Sequence, residues 1–337
     1  MPFETSGLRD HLRISITGVP ARRGLSVAFF VTLLLLFPHC RSRESSAISS
    51  GKSKNIGAQI QGGTFEASGA VFVPGTNGIL FIDDGRTSEV LWMQLDVSGN
   101  QVGAVKSIPL GVTIEDPEGI TFDGSLFYIV GSQSSRKSDD RGGIVRFGFD
   151  PKSQTVTNVE ILSGLRAFLV RNVPELRENG DKKGAEGGLN IEGIAWDPEG
   201  KRLLLGLRSP LAGDQALVVP VRLRDPNARF TIENLELDEP NVIKLLLGGA
   251  AIRDIQYDSR LKSFLIIAGA PEHHEKVGFS LWQWSGSSLG HIMDLARKMK
   301  PEGVTHVEIR DGDATQEFIF IVGDASVYQR VDYSELP

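Results

Sequence analysis

The stretch NIEGIAWDPEGKRLLLGLRSP, residues 190–210, decides the fold. Its Glu192-Gly193 step opens a short run, Ile194-Ala195-Trp196. Asp197, Pro198 and Gly200 supply turn chemistry, and RLLLGL (202–207) is then almost continuously apolar. An alternating run, a turn and a β-rich run together describe a hairpin. The first strand reads as half covered. The second reads as covered on both faces.

Four other segments share this grammar. SGAVFVPGTNGILFIDDG begins at Ser68, EGITFDGSLFYIVGSQSS at Glu118, RDIQYDSRLKSFLIIAGA at Arg253 and EGVTHVEIRDGDATQEFIFIVGDA at Glu302. The openers are therefore spaced by 50, 74, 61 and 49 residues. A four-stranded propeller blade takes about 40–50 residues, so the two long intervals carry extra material. Residues 165–189 hold a short helical pattern and a charged, Gly-rich loop. Further strands are expected at GGIVRFGFD (142–150), ALVVPVRLR (216–224) and SLWQWSG (280–286). The reading is all-β: a single β-propeller of five to six blades with one helical, charged insertion, closing through a sixth blade or the N-terminal strand. A β-sandwich is the alternative, but openers recurring at near-blade spacing are not expected there.

Composition agrees. The chain has 337 residues, 38 of them Gly, with 40% hydrophobic and 23% charged residues, which suits a folded core with many tight turns. A net charge of −6, with no clustered basic stripe, argues against nucleic acid as a partner. The one cysteine, Cys40, leaves no disulfide in the folded domain. Near the N-terminus, Arg22-Arg23 precede LSVAFFVTLLLLF (25–37). Thirteen uncharged, mostly apolar residues are short for a spanning helix, which needs about 20, and fit a secretory h-region. Cys40 follows and resembles a lipidation cysteine, although His39 departs from the small residues expected before one. The expected organisation is a signal or anchor segment over 1–40, a flexible tether over 41–63 and the propeller over 64–337. It makes the protein exported, periplasmic or at the cell surface: lipid-anchored through Cys40, secreted in soluble form, or held at the membrane by an uncleaved N-terminal segment.

Residues 190–220 resemble the bacterial family known as domain of unknown function 3616. The resemblance is carried by Asn190-Ile191-Glu192-Gly193, by Gly206-Leu207-Arg208-Ser209-Pro210 and by the small-residue turn into Ala216, and Arg253-Asp254-Ile255 fits it too. It extends over roughly residues 65–334, best in the middle third. More distantly the chain resembles the esterase-like phytase propellers, whose blades also contain Glu-Gly steps. These resemblances imply a propeller and carry no established activity.

Inner-strand openers of a propeller converge on its channel. That gathers Glu118, Glu192, Glu302 and the Arg253-Asp254 pair, with Asp83 and Asp84 as additions. Carboxylates around one channel need a cation, an Arg partner or a raised pKa, and Arg208 and Arg253 are the internal partners the sequence offers. Three roles follow. Each Glu could accept backbone N–H bonds from the next blade and lock the ring. Glu118, Glu192, Asp254 and Glu302 could hold calcium, a hard cation suited to oxygen ligands. Or the carboxylates could serve as acid and base in a metal-assisted phosphoester or ester hydrolase. The leading expectation is a propeller that binds a small molecule, cation or protein partner at its channel mouth, and a non-catalytic scaffold is the remaining alternative. His306 is a channel candidate in EGVTH, four residues past the fifth opener Glu302. His273-His274 reads as a charged loop, and Trp282 and Trp284 as packing. No GxSxG elbow, Walker loop or zinc spacing is present.

Overall fold

The computed structural model describes residues 56–135, 142–180, 182–272 and 276–337. The apolar segment 25–37, Cys40 and His273-His274 lie outside them. Among the described residues no helix is long and apolar enough to cross a membrane.

The first strand, β1 (Ala58–Gln59), belongs to the last blade. Blade 1 is β2 (Ala67–Val73), β3 (Gly78–Asp83), β4 (Glu89–Gln94) and β5 (Lys106–Pro109). Blade 2 is β6 (Pro117–Phe122), β7 (Phe127–Gly131), β8 (Ile144–Asp150) and β9 (Thr155–Leu162). Blade 3 is β10 (Asn190–Asp197), β11 (Arg202–Ser209) and β12 (Ala216–Leu223), edged by β13 (Leu235–Leu237) and β14 (Ile243–Leu245). Blade 4 is β15 (Ala251–Asp258), β16 (Ser263–Gly269), β17 (Phe279–Trp284) and β18 (Leu289–Leu295). Blade 5 is β19 (Pro301–Asp311), β20 (Ala314–Gly323), β21 (Val327–Val331) and, on its outer edge, β1. Every sheet is antiparallel.

There are five blades, at the lower end of the five to six expected. The ring closes through the N-terminal strand: Ala58 pairs with Tyr328 and Gln59 with Val327. This corrects the tether boundary at 63, because Ile60 is 2% exposed and packs in the core between blades 5 and 1. A tether reading missed it because a two-residue strand carries no periodicity. The surplus in the 74-residue interval is the expected insertion, with helices α1 (Leu165–Asn172) and α2 (Pro174–Arg177). The surplus in the 61-residue interval is the outer edge of blade 3, where β13 and β14 pair with different ends of β12.

The apolar runs explain the assembly. Strands β3, β7 and β16 are buried along their whole length. Five hydrophobic clusters form, one between each pair of adjacent blades. Trp284 packs on Phe264 in one of them, with ring centroids 5.1 Å apart. The inner strands then neighbour one another in the order β2, β6, β10, β15, β19 and back to β2 around the channel.

Candidate functional site

A β-bulge sits at the opener of every inner strand. Pairing slips between Ala67 and Ala70, Pro117 and Gly119, Ile191 and Gly193, Ile252 and Asp254, and Pro301 and Gly303. In four blades the extra residue is Glu118, Glu192, Arg253 or Glu302. A bulge re-aims the side chain of its extra residue, and here all four line one cavity, together with Ser68 of blade 1. The next residue lies against the following blade. A Cβ on Gly119 would stand 2.8 Å from Ile194 N, and one on Gly193 2.9 Å from Ile255 N. The openers thus divide their labour: one residue faces the channel and its neighbour spaces the blades.

The cavity measures about 550 Å3, within the range of small-molecule sites, about 300–1,000 Å3. One side of it is ion-paired. Arg253 donates Nε to Glu302 Oε2 at 2.6 Å, makes a second contact to Glu302 Oε1, and reaches Glu192 Oε2 at 3.2 Å. Arg208 NH1 donates to Glu192 Oε1 at 3.0 Å, and Asn190 Nδ2 to the same oxygen at 3.2 Å. Lys300 pairs with Asp324 at 2.6 Å. Burial raises the Glu302 carboxyl to about 7, with the Arg253 guanidinium pulling against the rise and Glu192 adding to it.

The other side holds Glu66, Ser68, Asp84 and Glu118. Among the described residues the only hydrogen bond to the Glu118 carboxyl comes from Ser68 Oγ, at 3.4 Å. Burial first, then Glu192 and Asp116, push Glu118 well above the ordinary carboxylate range. Asp84 is pushed up to about 7 by burial and by its hydrogen bond to Glu66, and Asp84 Oδ1 has no partner.

Among the described residues no main-chain N–H donates to Glu118, Glu192 or Glu302, so these carboxyls do not lock the blades through the backbone. Asp254 does. It stands where the other late blades have Gly, is fully buried, and accepts Ile255 N and Val304 N, each at 2.8 Å. Burial raises its carboxyl well above the usual range, and the two N–H donors oppose that. Asp254 therefore does not join Glu118, Glu192 and Glu302 in the cavity. Between Glu192 and Glu302 sits the Arg253 guanidinium, and among the described residues no three His, Cys, Asp or Glu side chains group as metal ligands. Asp83 caps its own turn, accepting Glu66 N at 3.2 Å and Gly85 N at 3.1 Å. His306 lies at the opposite mouth, held by Ser259 Oγ at 3.0 Å and Glu317 Oε1 at 3.3 Å. There it lines the same cavity as Thr305, away from the opener carboxyls.

Glu66 and Lys300 were missed as site residues. Both stand two positions before their openers, as do Asp116 and Asn190. Reading each repeat two residues further back exposes this second polar layer.

The sheets and their closed ring define a five-bladed β-propeller. Over residues 169–331 the chain matches the family described as protein of unknown function (DUF3616), so the family resemblance holds across the last three blades. No curated protein matches the chain. Similar solved structures include the soluble aldose sugar dehydrogenase of Escherichia coli, at 10% identity and a TM-score of 0.42 over 81% of this chain and 97% of that one. An exo-β-1,3-galactanase of Phanerochaete chrysosporium matches at 11% and 0.43, over 82% and 64%. A luciferin-regenerating enzyme matches at 10% and 0.33 over 65% of this chain, which spans 61% of that enzyme's length. Likenesses this distant say nothing about activity.

Proposed function

We propose that this protein is exported and binds a small polar ligand in the opener cavity. Its N-terminal apolar segment and Cys40 would direct and anchor it. The observation that carries the binding reading is Glu118: a half-buried carboxyl opening on the cavity, with one long hydrogen bond and, among the described residues, no ion pair. A buried polar group left under-satisfied costs about 1–3 kcal/mol, and a ligand donor or cation placed there recovers it. On the opposite wall, by contrast, Glu192, Arg253 and Glu302 are already paired with one another, so they shape the site and orient the ligand.

The test is a ligand panel screened by thermal shift and confirmed calorimetrically on the full chain. A ligand of this cavity is expected to lose about tenfold affinity or more in Glu118→Ala, the equivalent of about 1.4 kcal/mol. Undiminished binding to that variant contradicts the reading.

Hydrolysis is the second reading, favoured by the same residue. A carboxyl held well above the usual carboxylate range by burial suits a general acid, and Glu118 would donate the proton to a leaving group. A phosphoester and ester panel that stays silent with and without calcium removes that reading and leaves the binding one standing.

A further inference from the structure

The other end of the channel is a separate cavity of about 640 Å3. The inner strands reach it four residues past their openers. At that offset every blade carries a ring: Phe72, Phe122, Trp196, Tyr257 and His306, and all five line the cavity. Equal offsets along five equivalent strands place side chains at one height. Packing explains part of the pattern. Phe72 is buried in the core between blades 5 and 1, Phe122 stacks 4.5 Å from Phe127, and Tyr257 meets Phe264 at 5.4 Å. Packing does not explain the polar ends. Trp196 and Tyr257 are only partly buried, and among the described residues neither Trp196 Nε1 nor the Tyr257 hydroxyl has a hydrogen-bond partner.

The floor is polar, neutral and already satisfied. Gln256 Nε2 donates to Ile194 O at 3.1 Å and to Ile120 O, and Thr121 Oγ1 donates to Gln256 Oε1 at 3.1 Å. These bonds bridge blades 2, 3 and 4 across the channel and part this cavity from the opener mouth. The charges at the rim are engaged: Asp123 accepts the Tyr128 hydroxyl at 2.7 Å, and Arg310 pairs with Glu308 at 3.0 Å.

We infer that this mouth is a second binding site, for an uncharged hydroxylated ring of the pyranose class. The C–H faces of such a ring stack on the aromatic wall, and its hydroxyls meet the free Trp196 Nε1 and Tyr257 hydroxyl. An anionic ligand would find no unpaired basic side chain here among the described residues.

The full chain is titrated with neutral mono- and disaccharides, followed by tryptophan fluorescence and by heat. Of the four tryptophans, Trp92 and Trp284 are 3% and 5% exposed. The signal therefore reports on Trp196 or Trp282, and Trp196→Phe separates them. At least one saccharide is expected to bind, to lose about tenfold affinity in Trp196→Ala, to lose less in Tyr257→Phe, and to ignore Arg310→Ala. No saccharide binding at millimolar concentration overturns the inference. So does an affinity that Trp196→Ala leaves intact, and so does one lost in Glu118→Ala but kept in Trp196→Ala, which moves the sugar to the opener mouth. If Trp196→Ala does not fold, Tyr257→Phe decides, and unchanged affinity there overturns the inference.

Discussion

Arg253→Ala is expected to destabilise the protein by about 3–5 kcal/mol at pH 8, the cost typical of removing one partner from a buried ion pair. Arg253 is the shared counter-charge of Glu302 and Glu192, its own side chain is 11% exposed, and those of the two carboxylates are 10% and 3% exposed. The three side chains come from blades 3, 4 and 5, so their bonds also tie those blades together at the channel. The guanidinium is held charged more firmly than usual by these neighbours, Glu192 first, against the opposing effect of burial. Without it, the Glu302 carboxyl, already raised to about 7 by burial, loses the cation that opposes the rise and takes up a proton more readily. A carboxyl whose native pKa lies above its unfolded value binds extra protons in the native state, so its contribution to stability falls as pH rises between the two values. The deficit of Arg253→Ala should therefore shrink as pH falls toward about 5. Denaturant unfolding across that range measures it, and a deficit that does not change with pH would show that removing Arg253 leaves the protonation of the carboxyls as it is in the wild type.

Gly303→Ala is expected to cost about 3 kcal/mol or more, at the upper end for overpacking. A Cβ there would stand 2.3 Å from Ser68 O and 2.9 Å from Ala70 N, both main-chain atoms of blade 1. No rotamer relieves such a contact. The seam between blades 5 and 1, which also closes the ring, must open instead. Gly290→Ala is the control: it lies exposed in β18 with nothing within 4 Å of a Cβ, and its effect should stay within about 0.5 kcal/mol. Thermal unfolding of the two variants side by side checks the prediction. Equal melting temperatures would mean that the opener glycines do not set blade spacing.

The propeller was legible because its cause is local and repeated. Opener, turn and apolar run recur in each blade, as in Glu192 to Leu207, and five such hairpins can bury their faces only against one another. Closure was less legible, because Ala58–Gln59 pairs across the whole length of the chain to Tyr328 and Val327. At the candidate site, the sequence placed Glu118, Glu192, Arg253 and Glu302 on inner strands. Spacing alone could not say which way adjacent residues turn. The bulge swings Arg253 into the cavity and leaves Asp254 against the backbone of the next blade, so two neighbours read as a pair do different work. His306 was placed on an inner strand as well, but spacing alone could not say that, four residues past its opener, it lines the cavity at the other mouth. The partners of Glu118 were invisible too, since what distinguishes it is that, among the described residues, Arg253 reaches Glu192 and Glu302 from another blade and makes no ion pair with Glu118.

That asymmetry is the centre of the account, and the pH dependence of one substitution tests it. Glu118→Gln keeps the shape of the neutral acid and removes its charge. With its native pKa held above the unfolded value of 4.5, Glu118 should cost the wild type stability progressively as pH rises above about 4.5. Unfolding free energies of the two proteins are predicted to lie close together at about pH 5, with Glu118→Gln the more stable at pH 8. A variant less stable by the same amount at both pH values would contradict the account, because it would make Glu118 an ordinary paired carboxylate of the ring.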